Sequence, residues 1–492
     1  MFEFRPIFWN LTIWNLTVSM GCIVAQAETD VDKLVEQGEF SKAEQILREQ
    51  LADPDAPVVE PAAIELENLR RTRREFSVSE AQVLAELRKG IDDVSIDDVR
   101  RWRDAGLLTH RVIDGEARYF LRAASNLFRR SEEASERRNE QSKAAERTRL
   151  AKKYDVTSHV VQLVALSENA ASAEVMPVQH RVKYRLAVDA NHPRVKAGAK
   201  VRVWLPFPQE YRQQRDVSLV SAIPSPAHIA SKDSPHRTIY FEQTVARAED
   251  PIAFEAEYTF VTSAYCPKLE PADVQPYDTD SELYRNYTAE RAPHIVFTPQ
   301  LREQAASIVG SEQNPLEKAR RIFAWVSKNI QWCGEQEYSI IPSLSAKGIA
   351  AGHGDCGVQG MAFITLCRAA GIPARWQSGW QTKPGDWNMH DWSEIYIEPW
   401  GWLPADASYG LREHSDPRVE TFYCGHMDPY RLIVNLDYAR PLDPQKTSYR
   451  SEPNDFQRGE IEIDGHNLYF NEWSWHFTVE TTPLAPVSDV AN

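Results

Sequence analysis

The sequence predicts a multidomain chain: an α-helical N-terminal region, an antiparallel β-sandwich, and then an α+β domain. Three observations carry that prediction. The 492 residues exceed what one hydrophobic core usually organises. Near Met176-Pro177 the apolar pattern changes from helical spacing to strict alternation. Further on, a glycine-flanked cysteine, Gly354-Asp355-Cys356-Gly357, opens a helical stretch that alternating residues then follow. The composition, 42% hydrophobic and 26% charged, permits a sizeable core. A formal charge of −15 argues against a nucleic-acid partner, which requires a basic footprint.

Residues 1–27 read as a signal peptide. Arg5 precedes a mostly apolar run from Ile7 to Val24, which ends at Ala25-Gln26-Ala27, an A-x-A-like cleavage site. Export to a periplasmic or extracellular location follows as an expectation. Cleavage would remove Cys22 and leave five cysteines, an odd number, so at least one thiol stays unpaired. No later stretch approaches about 18 unbroken apolar residues, so no membrane span is expected in the mature chain.

Residues 28–155 read as helical and highly charged. Gly38 separates two helices within Asp32–Leu51. The stretch from Ser77 to Phe120, with Ile96 to Trp102 as its second helix, faintly resembles the winged helix-turn-helix of mercury-resistance-type regulators. Export and acidity oppose DNA binding, so a plain helical module is the reading kept. Arg129 to Lys153, without Gly or Pro, is expected to be one solvated connecting helix.

The β-sandwich is expected across 176–263. Val182, Tyr184, Leu186 and Val188 alternate with polar neighbours, as do Val201, Val203 and Leu205, and Phe254, Ala256, Tyr258 and Phe260. The α+β domain spans 290–440. Its first strong helix starts at Asn314-Pro315-Leu316-Glu317, a cap, a first-turn proline and an acid against the dipole. Residues 441–492 are left as C-terminal strands and a tail.

The chemistry concentrates around Cys356. Val358 to Ala370 form a helix that Gly371-Ile372-Pro373 closes, so Cys356 stands at a helix N-terminus. Free backbone N–H groups and the positive dipole end there favour a thiolate, so a lowered thiol pKa is expected. A thiolate needs a proton shuttle and a group to orient it. Asn388 to Ile397 alternate as a strand, with His390, Trp392 and Glu394 on one face and Asp391, Ser393 and Ile395 on the other. Gly401 to Ala405 supply a neighbouring strand that brings Asp406 beside His390. Asp391 and Glu394 are the next acids if Asp406 does not serve.

Together, Gly354-Asp355-Cys356-Gly357, Leu366 to Arg375, His390-Asp391-Trp392-Ser393-Glu394 and Asp406-Ala407-Ser408 resemble the transglutaminase-like superfamily. The resemblance covers about 290–440. It implies a papain-like α+β catalytic domain in which Cys356, His390 and Asp406 form the triad. It further implies acyl transfer or hydrolysis at a protein or peptide amide through a thioester. The oxyanion would use the backbone N–H of Cys356 and a second donor, for which Trp332 and Tyr338 are the candidates. Members of the family include crosslinkers, peptidases and glycan-amidases, so the fold alone does not choose. The leading reading is a cysteine peptidase or acyltransferase. The alternatives are a protein-crosslinking transglutaminase and a non-catalytic binding module that keeps the fold.

No cofactor is expected. His353 and Cys356 have ligand-like spacing, and Cys333, Cys367 and His390 could add to them. No second close pair completes a zinc set, and no acidic loop has a calcium pattern. Trp376, Trp380, Trp387, Trp392, Trp400 and Trp402 surround the triad blocks. They would either wall an acceptor tunnel or fill the core. The sequence carries no signature of oligomeric state.

Overall fold

Ser79 and Ser95 each cap a short helix in the computed structural model of the chain, which describes residues 30–52, 60–189 and 191–485. The expected signal peptide and Cys22 lie outside those residues. The chain divides into two compact units, 1–127 and 128–492. In the first, helices α1 (Phe40–Ala52), α2 (Glu60–Glu75), α3 (Glu80–Leu87) and α4 (Ile96–Asp104) precede a hairpin of β1 (His110–Ile113) and β2 (Glu116–Tyr119). Both α3 and α4 start with a capping box, and Val83, Leu87, Val99 and Trp102 form their buried faces. The region is therefore not wholly helical as expected. Asp114-Gly115, both at positive φ (50° and 83°), make the Asp-Gly turn that folds 110–119 back as strands.

The single helix expected over Arg129–Lys153 is also broken. One helix ends at Arg130, and others run over Glu132–Glu136 and Glu140–Ala151. The side chains of Ser131 and Asn139 accept the N–H groups of Ala134 and Ser142, at 3.1 and 2.9 Å, and restart the helix each time.

In the second unit the alternating segments form two antiparallel sheets. β3 (Glu174–Val188), β5 (Gln214–Ile223), β8 (Ala253–Tyr265) and β17 (Trp473–Pro483) order as β17-β3-β8-β5. β4 (Lys200–Pro206), β6 (His228–Ile229), β7 (Thr238–Thr244), β15 (Glu460–Ile463) and β16 (His466–Leu468) order as β16-β15-β4-β7-β6. Val182, Tyr184, Leu186, Val201, Val203, Phe241 and Phe254 are all buried in one cluster between them. Segment 441–492 is thus no appendage. β17 pairs with β3 from Trp473↔Val188 to Pro483↔Val178, and β15 pairs with β4, so the sandwich extends past residue 263 by taking its last strands from the far end of the sequence.

A third antiparallel sheet carries the cysteine helix. Its order is β13 (Gly401–Ala405), β12 (Asp386–Ile397), β11 (Ala374–Lys383), β14 (Arg431–Asn435). Helices α5 (Pro315–Asn329), α6 (Leu344–Ala351) and α7 (Cys356–Ala369) accompany it, with β9 (Gln331–Trp332) and β10 (His353–Gly354) as a short parallel pair. Asn314 caps α5 through Leu316 and Glu317 N–H, and the expected stripe of Leu316, Ala319, Phe323 and Val326 is buried. α7 lies against β12 closely enough for Ser393 Oγ to donate to Gly360 O at 3.2 Å. A Cβ at Gly360 would stand 3.4 Å from Ser393 Oγ.

The sandwich and the third sheet share apolar contacts, since Trp380, Leu432 and Val434 belong to the sandwich cluster. Trp380 stacks on Phe477 of β17 with centroids 3.9 Å apart and planes at 11°. Trp380→Ala should therefore lower stability by about 3–5 kcal/mol, read from the denaturant midpoint. Trp387→Ala, at a ring 37% exposed, should cost far less in the same measurement.

Candidate active site

Strand alternation separates two sets of side chains on β12. Ser393 faces α7, as does Asp391 two residues before it, whereas His390 is directed to the opposite side. β13 runs antiparallel beside β12 with Ser393 opposite Ala405, so Asp406 emerges next to His390. His390 Nε2 donates to Asp406 Oδ2 at 2.7 Å, and both residues are buried. The other carboxylate oxygen accepts from Ser408 Oγ at 2.7 Å and from the N–H groups of Ser408 and Tyr409. Arg431 Nη2 reaches Asp406 Oδ2 at 3.1 Å and Asp428 Oδ2 at 3.1 Å.

Burial alone would push the Asp406 carboxyl up, but His390 and Arg431 hold it well below the usual carboxylate range. Burial lowers the His390 pKa, against the upward pull of Asp406. The imidazole is accordingly neutral near pH 7, with its proton on Nε2 and Nδ1 left as the acceptor.

Cys356 behaves differently from expectation. Asp355 caps α7, its Oδ1 accepting from Val358 N at 3.2 Å, and the Cys356 sulfur lies on the α7 side of β12. Its thiol reaches Asp391 Oδ2 at 3.5 Å, and no hydrogen bond joins it to His390 among the described residues. Burial, then the carboxylates of Asp391 and Asp355, push the thiol well above its usual range, despite a hydrogen bond from the Asp391 backbone. Two acids, Asp355 at the start of α7 and Asp391 on β12, oppose the lowering expected from the helix terminus. The structure thus brings His390 and Asp406 into contact and sets Cys356 against Asp391.

Of the two oxyanion candidates, Tyr338 comes to the site. Its hydroxyl donates to Asp391 Oδ2 at 2.8 Å, and a Cβ at Gly357 would fall 2.1 Å from it. Trp332 pairs with Gly354 through β9 and β10, and its ring, 42% exposed, lies under the Arg129 guanidinium at 4.8 Å. Glu394 is committed elsewhere, to Arg375 at 2.8 Å and the Tyr211 hydroxyl at 2.8 Å. Cys266, Cys333, Cys367 and Cys424 are free thiols in buried positions, and burial raises the pKa of each. Among the described residues no group of three His, Cys, Asp or Glu side chains gathers as a metal site. Trp376, Trp380 and Trp392 are taken up by the core.

Sequence reasoning missed Arg431 and Gln457. Arg431 had a signal, a lone charge ahead of the apolar run Leu432-Ile433-Val434. Gln457 had none, yet its Nε2 donates to Asp391 Oδ1 at 2.6 Å and to His390 O at 3.0 Å.

Residues 302–407, which contain Cys356, His390 and Asp406, match the sequence model of the Transglutaminase-like superfamily, and the chain carries a transglutaminase-like domain there. A Haemophilus influenzae protein named only "Uncharacterized protein" is 29% identical over 166 residues, covering 28% of this chain and 42% of its own length. This chain therefore spans less than half of that relative. A solved structure from Cytophaga hutchinsonii, named "Putative Cysteine Protease", is 17% identical with a TM-score of 0.41, covering 63% of this chain and 91% of its own. The periplasmic domain of TgpA from Pseudomonas aeruginosa is 15% identical with a TM-score of 0.25, covering 52% and 93%.

Arg431→Met would strand Asp406 and Asp428 as buried charges and should cost about 3–5 kcal/mol in urea denaturation. Asp428→Asn in the same chain should recover part of that loss. Because the folded Asp406 pKa is depressed, its stabilisation is complete above about pH 4 and is lost as pH falls below that. Asp406→Asn should remove this part of the acid dependence.

Proposed function

We propose that this protein is a cysteine-nucleophile amide hydrolase or acyltransferase acting on protein or peptide substrates, with Cys356, His390 and Asp406 as its triad. One observation carries the reading. A neutral imidazole is oriented by a buried, ionised carboxylate on the strand that packs against a helix beginning with a free thiol. The proposed mechanism has the Cys356 thiol leave Asp391, which it reaches in this structure, and pass its proton to His390 Nδ1, with Asp406 stabilising the imidazolium. The thiolate attacks the amide carbonyl carbon, His390 returns the proton to the leaving amine, and a thioester remains. Water, or a second amine, then breaks the thioester. The Cys356 N–H at the start of α7 is the first donor proposed for the oxyanion, and the Tyr338 hydroxyl is the second, once it turns away from Asp391 Oδ2.

Hydrolysis is favoured over crosslinking because Trp376, Trp380 and Trp392 pack in the core, which removes half of the rings that would wall an acceptor tunnel. With the expected signal peptide, the proposal places the substrate outside the cytoplasm.

Cys356→Ala should abolish turnover of a peptide or protein amide, and His390→Ala should reduce it by about 10²–10⁴-fold in steady-state kinetics on folded variants. Asp406→Ala should cost less than His390→Ala. Full activity in Cys356→Ala would overturn the proposal, and binding of peptide without turnover in the intact chain would favour the non-catalytic module. With a glutamine-containing peptide and excess small amine, acid or cleaved peptide is the expected product. Predominance of the amine conjugate, measured by mass spectrometry, would establish the crosslinker instead.

A further inference from the structure

β12 has a strand on both sides over only part of its length. β11 pairs with it from Ala374↔Ile395 to Lys383↔Asp386, whereas β13 pairs only from Ile397↔Gly401 to Ser393↔Ala405. Among the described residues no strand or isolated bridge takes the place of β13 beside 386–392. Tyr396 N–H donates to Pro373 O at 2.8 Å, and Thr382 N–H donates to Tyr430 O at 2.9 Å, which fixes the alternation of the two strands. Asn388 and His390 thus turn their backbone groups to β11, and Trp387, Met389 and Asp391 turn theirs to the bare edge. Met389 N–H donates to the side chain next to it, Asn388 Oδ1, at 2.9 Å, and Asn388 is exposed.

That edge leads to the thiol. The Cys356 sulfur lies 3.5 Å from Asp391 Oδ2, and Met389 and Trp387 follow on the same face of the strand at steps of about 7 Å. The Trp387 ring is exposed yet held in place, its Nε1 donating to Phe477 O of β17 at 3.0 Å. Met389 is half-buried. Arg458 Nε reaches its sulfur at 3.3 Å, and Arg458 is fixed in turn to Glu337 at 2.9 Å. Glu337 directly precedes Tyr338, the second oxyanion donor proposed above. Sheet edges that must stay unpaired carry Lys, Pro or a covering segment. This one presents a tryptophan and a methionine.

We propose that an extended polypeptide substrate adds as a strand to the bare edge of β12, with its apolar side chains on Met389 and Trp387 and its scissile amide at Cys356. The inference rests on Cys356 being the nucleophile, as proposed above, and it names the substrate class of that site. The substrate is an unfolded or loop segment with a large apolar residue about two to four positions from the reacting amide, the spacing of Met389 and Trp387 from Asp391. Backbone pairing supplies affinity without sequence preference, and the two side chains supply the preference. A substrate carbonyl replaces Asn388 Oδ1 on Met389 N–H, and substrate N–H groups meet the carbonyl oxygens of Met389 and Trp387. Regular secondary structure cannot enter, because its own backbone groups are already paired.

The test uses short peptides that need not react. An acetylated, amidated pentapeptide of glycine with phenylalanine at its centre is compared with its all-glycine counterpart and with a form N-methylated at alternate residues. Each is added as a protectant of Cys356 against iodoacetamide, with labelling read by mass spectrometry. The phenylalanine peptide should protect at concentrations where the other two do not, and Trp387→Ala should raise its half-saturating concentration by about three- to tenfold. In the full chain carrying Cys356→Ala and isotope-labelled indole nitrogens, the same peptide should shift the Trp387 resonance, assigned by its loss in Trp387→Ala. Equal protection by the N-methylated or all-glycine peptide, or an unmoved Trp387 resonance, would overturn the inference. Labelling that slows with protein concentration alone would give the edge to a second copy of the chain and overturn it too. If iodoacetamide never labels Cys356 while the Trp387 resonance answers only to the unmethylated phenylalanine peptide, the proposed nucleophile fails and the peptide edge stands.

Discussion

A carboxylate with no exposed surface has to be balanced, and Asp406 is balanced from two directions at once. Arg431 supplies a full positive charge from β14, and His390 supplies a dipole from β12. These strands lie on either side of β11, so the charge cluster ties together three strands of one sheet. Arg431 also leans on Asp428, and its guanidinium lies 4.4 Å from the Tyr409 ring. Solvation energy forbids any of these groups from being left alone in the interior. The orientation of the imidazole is therefore a by-product of neutralising a buried acid.

The same strand has opposite electrostatics on its two faces. On the His390 side an acid is kept ionised, held by Arg431 and by the Ser408 and Tyr409 donors. On the Cys356 side Asp391 takes its hydrogen bonds from uncharged donors: Gln457, Tyr338 and the thiol itself. Adjacent residues, His390 and Asp391, thus belong to different environments only because a strand points successive side chains in opposite directions.

Much of this was legible in the sequence because the signals were local. The Asn314-Pro315 start of α5, the Gly371 stop after α7 and the alternation of β3, β4, β8 and β12 depend on neighbours within a few residues. His390 beside Asp406 also followed, since one tight turn joins β12 and β13. What escaped depended on distant chain. The thiol's environment is set by Asp391 and Tyr338, and Gln457, which donates to Asp391, comes from a segment without periodicity. The break at Ser131 and Asn139 was missed for another reason. Mixed charge without Gly or Pro suggests a continuous helix, while a single Ser or Asn side chain can cap a new one.

The pairing of β17 with β3 and of β15 with β4 has a consequence for the order of events during synthesis. These contacts join residues nearly three hundred positions apart, such as Trp473 with Val188, which gives the second unit a high contact order. Gln457 emerges from the ribosome about a hundred residues after the cysteine, and the strands that anchor its loop emerge later still. Until then Cys356 belongs to a partial structure whose sandwich lacks its closing strands and whose Asp391 lacks Gln457. A nascent chain thus carries its thiol in an unfinished setting, and the finished one arises only when the last strands have docked.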